Sequence, residues 1–480
     1  MKTQTPLIIS VNFMLFMVIS PVWAVTKHVP SEYGTIQTAI NDCNDGDTVL
    51  VASGTYTGEG NRDIDFNGKA ITLKSENGEE TCIIDCQASE QDLHRGFYFH
   101  NREGNDSVLD GFTITNGCAY GGGAIYCRSY SSPTIKNCTL RQNVAATTLH
   151  NVRMPTITDG GAIACYDSNS IIVNCTFLNN FASGAGGAAY FGGSYPRTRS
   201  NVVFQNCIFS QNEALGGGAV GFDYSDVTFR NCVISGNIAQ SDSYPNSNYG
   251  GGGIFCFSGS VSIFNSTIIG NRTTSSKGGG GIYVTSGKIL INSSLMLNDM
   301  AVQGREIGLL IPSSVLLDVC YSNIQGGIEE LQPDSSLGWG VGNIDVDPSF
   351  AYPGYWVHAD DPNIIVEQYD PNNPNIVWLE GDYHLRSQAG RWDPNSQTWV
   401  QDDVTSPCID TGDPNSPIMH EPFPNGGYVN MGAYGGTSEA SKSYFGGPVC
   451  ETIIAGDING DCRVDSADLE ILMLHWLEVY

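Results

Sequence analysis

Basic residues are scarce in this chain of 480 residues, which has 22 Lys and Arg against 50 Asp and Glu and a formal net charge of −28. Such a chain lacks a general basic surface, so nucleic acids and anionic membrane surfaces would be repelled. The imbalance lies mainly in residues 326–480, which hold 25 acidic and 4 basic residues, whereas residues 1–325 hold 25 and 18. We therefore expect no nucleic-acid partner.

Long hydrophobic runs are equally rare. The one stretch of this kind, residues 6–20, follows Lys2 and precedes the small residues Val22 and Ala24. This order is typical of a removable signal peptide, and the run is shorter than the ~20 residues of a spanning helix. We expect residues 1–24 to be removed on export, leaving a secreted or cell-surface protein without a transmembrane segment. The alternative is an N-terminal membrane anchor.

Glycine is abundant, with 57 residues, while hydrophobic residues still make up 41% of the chain. This combination favours many turns between short strands around a real core. The 15 cysteines lie mostly in apolar repeat positions, which predicts small buried side chains instead of a disulfide framework. Their odd number leaves at least one thiol unpaired within a monomer.

A two-part repeat fills the middle of the sequence. Its first half resembles GGAIYC at residues 122–127 and starts at Gly122, Gly160, Gly186, Gly217, Gly251 and Gly279. Its second half resembles NCTLRQN at residues 137–143 and starts at Asn137, Asn174, Asn206, Asn231, Asn265 and Asn292, with an earlier copy at residues 110–116. Each unit is too short to form an independent domain, so the units must stack to bury their apolar side chains.

Stacked rungs of parallel strands lie about 4.8 Å apart, so equivalent residues form columns. One predicted interior column consists of Cys138, Cys175, Cys207, Cys232, Ser266 and Ser293. A second predicted column places amides at a left-handed turn, where they hydrogen-bond to neighbouring rungs, and consists of Asn143, Asn180, Asn212, Asn237, Asn271 and Asn298. The glycine pairs predict a tight corner with positive φ angles.

These motifs resemble the right-handed parallel β-helix of the pectin-lyase-like superfamily, and their pairing is similar to the repeats of polymorphic outer-membrane proteins. The segment 35–56 is similar to the family's entry, in which a short helix precedes the first strand. Ile36, Ala39, Ile40 and Cys43 would form the helix face that closes the stack. We therefore expect an all-β, right-handed parallel β-helix solenoid over residues 25–327 with an N-terminal helix cap.

The resemblance raises the question of catalysis. Many β-helix relatives cleave acidic polysaccharides with calcium held by Asp carboxylates and a basic residue that removes a proton. The acidic and basic residues that stand out are Asp223, Asp226 and Arg230, with Asp159 and Asp167 as partners on earlier rungs. A solvated turn explains them equally well, so no catalytic residue is assigned.

Aromatic residues on or near the rungs have two interpretations. They could stack on sugar rings, or they could fill the core and rim of the β-helix. The residues concerned are Tyr120, Tyr166, Tyr190, Tyr195, Phe222, Tyr224 and Tyr249.

Residues 328–440 lose the repeat and contain Asp-Pro-Asn sequences, which are typical of turns. Its runs at residues 343–350, 381–390, 406–414 and 429–436 resemble the choice-of-anchor region of secreted β-helix proteins, which implies a β-rich cap that precedes a linker at residues 441–449. His384 and His420 could bind a metal beside Asp382 or Glu421.

The tail, residues 450–480, contains a calcium-loop pattern. Positions 1, 3, 5, 9 and 12 of the loop are Asp457, Asn459, Asp461, Asp465 and Asp468, and the Arg463 carbonyl is at position 7. With its following apolar helix it resembles a type I dockerin repeat, which implies a Ca²⁺ ion and a cohesin-like or surface-anchoring partner.

The tail also departs from the dockerin pattern in two ways. Cys462 replaces the glycine expected at position 6, which either strains the turn or pairs with Cys450. Dockerins carry two such repeats, and this sequence contains one.

Three functions follow. We expect a secreted or cell-surface β-helix protein that binds polysaccharide or serves in surface display, with a calcium-dependent docking tail. The alternatives are a dockerin-bearing polysaccharide lyase or O-glycosyl hydrolase, and a structural or adhesive repeat protein.

Overall fold

The chain winds into a stack of rungs, in which short strands pair in parallel with the equivalent strands of adjacent rungs. We name the four resulting stacks faces 1 to 4, in the order in which a rung visits them. The computed structural model describes residues 24–146, 158–194, 199–240, 249–276, 278–330, 336–366, 375–446, 455–459 and 462–475. The predicted all-β parallel solenoid is confirmed, whereas the predicted signal peptide lies almost wholly outside the described residues.

Faces 1 and 2 are joined because the two longest strands, Val220–Arg230 and Ile254–Phe264, run across both of them. The other strands of face 1 are Phe97–Phe99, Ile125–Cys127, Ile163–Tyr166, Ala189–Gly192, Ile282–Val284 and Ile307–Leu309. The other strands of face 2 are Thr26–Val29, Thr48–Val51, Thr72–Ser75, Val108–Asp110, Thr134–Lys136, Ile171–Val173, Ser200–Gln205, Gly287–Asn292, Val315–Cys320 and Ser336–Trp339. The last of these continues the parallel pairing beyond residue 327.

Faces 3 and 4 complete the rungs. Face 3 contains Gly54–Tyr56, Cys82–Asp85, Thr113–Thr115, Thr139–Arg141, Thr176–Leu178, Ile208–Ser210, Val233–Ser235, Thr267–Ile269, Leu295–Leu297 and Asn323–Ile324. Face 4 contains Cys118–Ala119, Val144–Ala145, Phe181–Ala182, Glu213–Ala214, Ile238–Ala239 and Arg272–Thr273.

The glycine pair of each repeat forms the corner between faces 4 and 1, as predicted. Gly122 has a φ of 57°, and a Cβ atom on it would lie 2.1 Å from the carbonyl oxygen of Ile125. The next residue, Gly123, would place a Cβ 2.7 Å from the carbonyl oxygen of Gly161 in the following rung. The first glycine therefore satisfies a left-handed turn, and the second permits close contact between backbones.

The interior asparagine column exists and carries hydrogen bonds along the stack. Each side-chain nitrogen donates to the Oδ1 atom of the column residue in the next rung at 2.8–3.1 Å. The last member is Asp299, however, and the prediction of Asn298 was wrong by one residue. The left-handed turn was also misplaced, because the positive φ angles belong to the preceding residues, including Gln142 (55°), Asn179 (54°) and Gln211 (56°).

The same shift of one residue affects both ends of the repeat. Thr267 pairs with Leu295, which aligns Ser266 with Ser294. Ser294 therefore continues the cysteine column, and the prediction of Ser293 was wrong. At the other end Thr113 pairs with Thr139, so Asn116 aligns with Gln142. The motif copies at residues 110–116 and 292–298 keep the spacing of the repeat but sit one residue out of register.

The predictions for the buried cysteines and the helix cap are confirmed. Of the thirteen free cysteines among the described residues, all except Cys320 are buried. The helix α1, Ile36–Asn41, begins with a capping box between Thr35 and Thr38. Its apolar face belongs to the main core together with Cys43, which closes the N-terminal end of the stack.

The C-terminal segment lies against the outside of face 3. It contains the paired strands Phe350–Tyr352 and Asp382–Leu385, the three-stranded sheet of Tyr355–His358, Asp361–Ile365 and Ile376–Leu379, and the hairpin of Arg391–Asp393 and Thr398–Val400. Apolar residues of the segment form a second core with outward residues of face 3, such as Val233 and Leu295.

Polar contacts also fasten the C-terminal segment. The Ser235 hydroxyl donates to the Glu380 carboxylate at 2.9 Å, and the Tyr383 hydroxyl donates to the same carboxylate at 2.5 Å. Two Asp-Pro-Asn sequences form the predicted turns, since Asp393 and Asp413 accept hydrogen bonds from the backbone N–H two residues later. The copy at Asp361 instead begins the strand Asp361–Ile365, and the copy at residues 370–372 lies outside the described residues.

The predicted linker is packed in its described part, residues 441–446. Ser441 donates to the Leu385 carbonyl at 2.5 Å and Ser443 donates to Asp410 at 2.7 Å. Both serines are buried, so this part of the chain is not free. The tail helix α2, Ser466–His475, is followed by residues outside the described range. Among the described residues, no helix has the length and apolar character needed to cross a membrane.

Candidate functional site

A row of aromatic rings runs along the outer surface of face 1. Successive ring centroids lie 5.7 Å apart for Tyr98 and Tyr126, 6.0 Å for Tyr126 and Tyr166, and 5.8 Å for Tyr166 and Tyr190. Beyond a gap at Gly221, Tyr249, Phe255 and Tyr283 continue the row. We call these seven residues the aromatic stripe. The first four tyrosines are half-buried, so part of each ring is open to a ligand.

The stripe follows from the strand pattern of the repeat. The fifth position of the Gly-Gly motif alternates with two inward-facing neighbours, so its side chain points outward. Tyr126, Tyr190, Phe255 and Tyr283 all occupy this position. Sequence reasoning proposed Tyr190 but missed the other three, although the motif position held the signal.

The other predicted aromatics differ in their surroundings. Tyr166 and Tyr249 belong to the stripe, whereas Phe222 is fully buried in the main core. Tyr120 is exposed outside the stripe, Tyr224 is half-buried, and Tyr195 lies outside the described residues. Both interpretations of the aromatics therefore apply, each to different residues.

Cationic side chains cover one end of the stripe. The Arg95 guanidinium lies 4.8 Å from the Tyr126 ring centroid, and the Arg128 guanidinium lies 5.1 Å from that of Tyr98. Burial lowers the pKa of Arg95, and its Nη1 atom has no hydrogen-bond partner among the described residues. His100 stacks on Tyr98 with a centroid distance of 4.0 Å.

Carboxyl groups flank the middle of the stripe. Asp159 accepts a hydrogen bond from the Ala185 N–H at 2.7 Å, and burial raises its pKa to about 6. Burial also raises the pKa of Asp223, whose Oδ1 atom has no partner among the described residues. Both carboxyls act electrostatically on Tyr190, and the buried Tyr166 hydroxyl also lacks a described partner.

The other acidic and basic candidates make different contacts. Arg230 is seven residues from Asp223 on the same strand, roughly 20 Å away at ~3.3 Å per residue. Its guanidinium lies 4.4 Å from the Phe264 ring centroid. Asp226 forms an ion pair with Arg199 at 3.0 Å, and Asp167 accepts hydrogen bonds from Ser194.

The histidine candidates of the C-terminal segment have structural contacts. His384 is buried, with Nδ1 2.5 Å from Asp382 and Nε2 3.3 Å from Glu439. Burial lowers the pKa of His384, but the hydrogen bonds to these carboxylates raise it above its ordinary value. Glu421 accepts hydrogen bonds from the N–H groups of Asn430 and Gly436. His420 is exposed.

The described calcium-loop candidates lie at a turn that is closed by hydrogen bonds within the loop. Asp457, Asn459 and Asp468 are buried, and the Asp468 carboxylate accepts from the N–H groups of Ile458 at 2.6 Å and Asp465 at 2.7 Å. The donor set consists of oxygen atoms, as a hard divalent cation requires. Among the described residues, no group of three or more His, Cys, Asp and Glu side chains could hold a metal ion, and Asp461 lies outside them.

The remaining residues of the loop bear on its geometry. Arg463 and Asp465 follow the turn. Cys462 has a φ of 66° and is disulfide-bonded. It therefore adopts the left-handed backbone conformation for which glycine is expected at this position of the loop. Cys450, the predicted partner, lies outside the described residues.

Comparison with known proteins supports the fold. Residues 35–243 match the family described as a right handed beta helix region, and residues 365–412 match a family described as disaggregatase related. None of the curated proteins compared with the chain matches it. With the parallel pairing described above, the family match defines the class as an all-β, right-handed parallel β-helix protein.

Three solved structures resemble the chain at low identity. Pectate lyase Pel9A is 16% identical over 82% of this chain and 89% of its own, with a TM-score of 0.38. A mutant pectin methylesterase in complex with a hexasaccharide is 10% identical over 74% and 85%, with a TM-score of 0.27. The PL6 family alginate lyase AlyGC is 11% identical over 80% and 57%, with a TM-score of 0.30.

Proposed function

We propose that this protein is exported and binds polysaccharide along the aromatic stripe of face 1. The observation that carries the proposal is the row of half-buried tyrosine rings on successive rungs of a rigid sheet. Such rings offer apolar faces for sugar rings at little cost in conformational entropy. Polar atoms beside them, such as the Tyr166 hydroxyl and Asp223 Oδ1, have no described partners and could hydrogen-bond to sugar hydroxyls.

The charge distribution bears on the class of glycan. The β-helix is close to neutral compared with the C-terminal third, so a neutral glycan can approach face 1 without strong repulsion. The guanidinium groups of Arg95 and Arg128 at one end of the stripe would favour a glycan that also carries carboxylates.

Replacing Tyr126 and Tyr166 together with Ser should weaken glycan binding about tenfold or more, because each lost stacking contact contributes about 1 kcal/mol. A glycan array with the wild-type protein first identifies the ligand, and calorimetry then compares the variants. Tyr444, an exposed tyrosine of the C-terminal segment, supplies the matched control Tyr444→Ser. Equal loss in both variants would contradict the stripe as the site, and absence of binding to any glycan would favour a structural or adhesive role.

A second candidate function is cleavage of the bound polysaccharide. It is favoured by the carboxyl pair, since burial raises the pKa of Asp159 to about 6 and both Asp159 and Asp223 act electrostatically on Tyr190. Glycoside hydrolysis uses two carboxyl groups, one of them protonated. Release of reducing ends or unsaturated products that disappears in Asp159→Asn and Asp223→Asn would support an enzyme. Binding without product release would favour the first proposal.

We also propose that the tail binds Ca²⁺ and docks to a cohesin-like or surface-anchoring protein. Ile471 of helix α2 packs against Gly427, while Leu469, Leu472 and Met473 remain exposed. An apolar helix surface next to a calcium loop is suited to a protein partner. This proposal rests on the oxygen donors of the loop and on the exposed residues of α2.

The full-length protein should release or absorb heat on titration with Ca²⁺, and Asp457→Ala should abolish that signal because it removes the first ligand of the loop. Asp393→Ala, in an exposed Asp-Pro-Asn turn, is the matched control and should leave the signal unchanged. The proposed calcium site would be ruled out if the wild-type protein gave no calcium-dependent heat, or if Asp457→Ala gave the same signal as the wild type.

A further inference from the structure

A cavity of about 570 Å³ lies where the C-terminal segment meets the β-helix. It shares no residue with the aromatic stripe. Its apolar wall comes from both parts of the chain and includes Met300, Ala301, Val302, Tyr355, Trp356 and Trp378. A cavity of this size with a mainly apolar wall and a few polar groups is typical of a site for a small ligand.

The two tryptophans give the cavity a rigid wall. Their ring centroids lie 5.4 Å apart at an angle of 62°. The Trp356 indole N–H donates to the Gly270 carbonyl at 2.8 Å, and the Arg272 guanidinium lies 4.9 Å from the Trp356 ring centroid. Because these rings are already fixed, a ligand would order few protein side chains on binding.

Glycines on the β-helix make room for Trp378. A Cβ atom on Gly236 or Gly270 would lie 2.2 Å or 2.1 Å from the Trp378 ring. Earlier rungs have Gln142, Asn179 and Gln211 at the equivalent turn position. The β-helix sequence thus changes to glycine at the two rungs against which this wall of the cavity is built.

Unused hydrogen-bond donors surround the cavity. The Trp378 side chain is 5% exposed, and its indole N–H has no hydrogen-bond partner among the described residues. At the mouth, Arg305 is exposed and forms no ion pair with a described residue. Gln325 accepts a hydrogen bond from the Asn298 N–H through its oxygen at 2.7 Å, which leaves its amide nitrogen to donate.

We propose that this junction cavity binds a one- or two-ring sugar acid. The apolar wall would contact the ring, the donors would meet its hydroxyl and ring oxygens, and Arg305 would pair with its carboxylate. The donors favour a ligand rich in acceptor oxygens, and the unpartnered Oδ2 of Asp299, which also lines the cavity, would accept a hydrogen bond from a sugar hydroxyl. The same chemistry can come from a free sugar acid or from the end of an acidic polysaccharide.

The experiment is ligand-observed NMR and calorimetry on the full-length protein with galacturonic acid and galactose, which differ in the carboxylate. Galacturonic acid should bind at least about tenfold more tightly than galactose. Arg305→Gln should weaken its binding by a similar factor, and Val302→Asp should do so through repulsion at the mouth. Lys288→Gln, which removes an exposed cation of face 2, should have no effect.

Further outcomes separate the sources and the two sites. Binding of polygalacturonate that is lost in Arg305→Gln would identify a chain end, whereas binding of the monosaccharide alone would identify a free sugar acid. The Tyr126→Ser/Tyr166→Ser variant should still bind galacturonic acid, because the cavity is independent of the stripe. The proposal is overturned by wild-type protein that does not bind at about 10 mM, by equal binding of galactose, or by undiminished binding in Arg305→Gln.

Discussion

Replacing Asn212 with Ala should lower the free energy of unfolding by roughly 3–5 kcal/mol. The Asn212 side chain is fully buried and donates to the Phe177 carbonyl at 3.0 Å and to Asn237 Oδ1 at 2.9 Å. Its own Oδ1 accepts from the backbone N–H and the side chain of Asn180 at 3.0 and 2.9 Å. Truncation leaves these partners buried without hydrogen bonds, and water cannot easily replace them in the interior.

Urea denaturation followed by circular dichroism measures this loss. Asn201→Ala, at an exposed strand position of the same rung, is the matched control and should change the free energy of unfolding by less than ~0.5 kcal/mol. Because each rung contacts only its neighbours, hydrogen exchange should accelerate most in the rungs next to Asn212. Equal stability of the two variants would contradict the role of the asparagine column.

The second large effect is expected at the end of the same column, where Asp299→Asn should stabilise the protein at neutral and alkaline pH. Asp299 Oδ1 accepts from the Asn271 N–H at 2.7 Å. Its Oδ2 and both oxygens of Glu306 receive no hydrogen bond from a described N–H or O–H donor. Both side chains are 2% exposed, so the two carboxyls can share a proton but cannot both ionise at low cost.

The pH dependence follows from the direction of the pKa shifts. Burial raises the pKa of Asp299 to about 7, and burial together with the Asp299 charge raises the pKa of Glu306 well above its ordinary value. The nearby cation that acts on the pair is Arg305, which opposes this rise. The folded state therefore binds more protons than the unfolded chain, so the stabilisation present below about pH 4 is lost as the pH rises towards 7.

The Asp299→Asn variant would remove one of the two titrating groups and restore the amide that the earlier rungs have at this position. Its amide nitrogen can donate to Glu306, as the amides of the earlier rungs donate to their neighbours. We expect the variant to gain roughly 2–4 kcal/mol over the wild type at pH 8 and little at pH 4. Urea denaturation at several pH values measures the difference. Asp318→Asn, on the exposed side of a face 2 strand, is the control and should leave the pH dependence of stability unchanged. If stability depends on pH in Asp299→Asn as it does in the wild type, the two carboxyls do not share a proton.

The repeat was readable in the sequence because each of its positions has a separate physical requirement. Gly122 and its equivalents must adopt positive φ angles, the cysteine column must be small, and the column from Asn143 to Asn271 must hydrogen-bond in both directions. The predicted register was wrong at both ends of the repeat, and the structure shows why. Asp299 and Gly117 occupy column positions without being asparagine, so the motif was matched to the asparagines one residue away.

The candidate site was only partly visible in the sequence. Tyr166, Tyr190 and Asp223 were among the predicted residues, but the repeat does not show that residues outside its fifth motif position, such as Tyr98 and Tyr166, lie beside that position on face 1. Asp223 and Arg230 are close in sequence yet far apart, because an extended strand separates residues quickly. Asp159 and Asp223 are far apart in sequence yet both act on Tyr190, because stacking brings neighbouring rungs together.

The sequence by itself determined the class of fold, the glycine corners, the N-terminal helix cap and the buried cysteines, since these depend on local geometry and on a pattern repeated many times. The tertiary structure decided which tyrosines form the stripe, how Asp299 meets Glu306, and how the C-terminal segment covers face 3. That segment does not repeat, so its partners could not be read from a period. Trp378 lies on Gly236 and Gly270 because distant parts of the chain fit each other in shape.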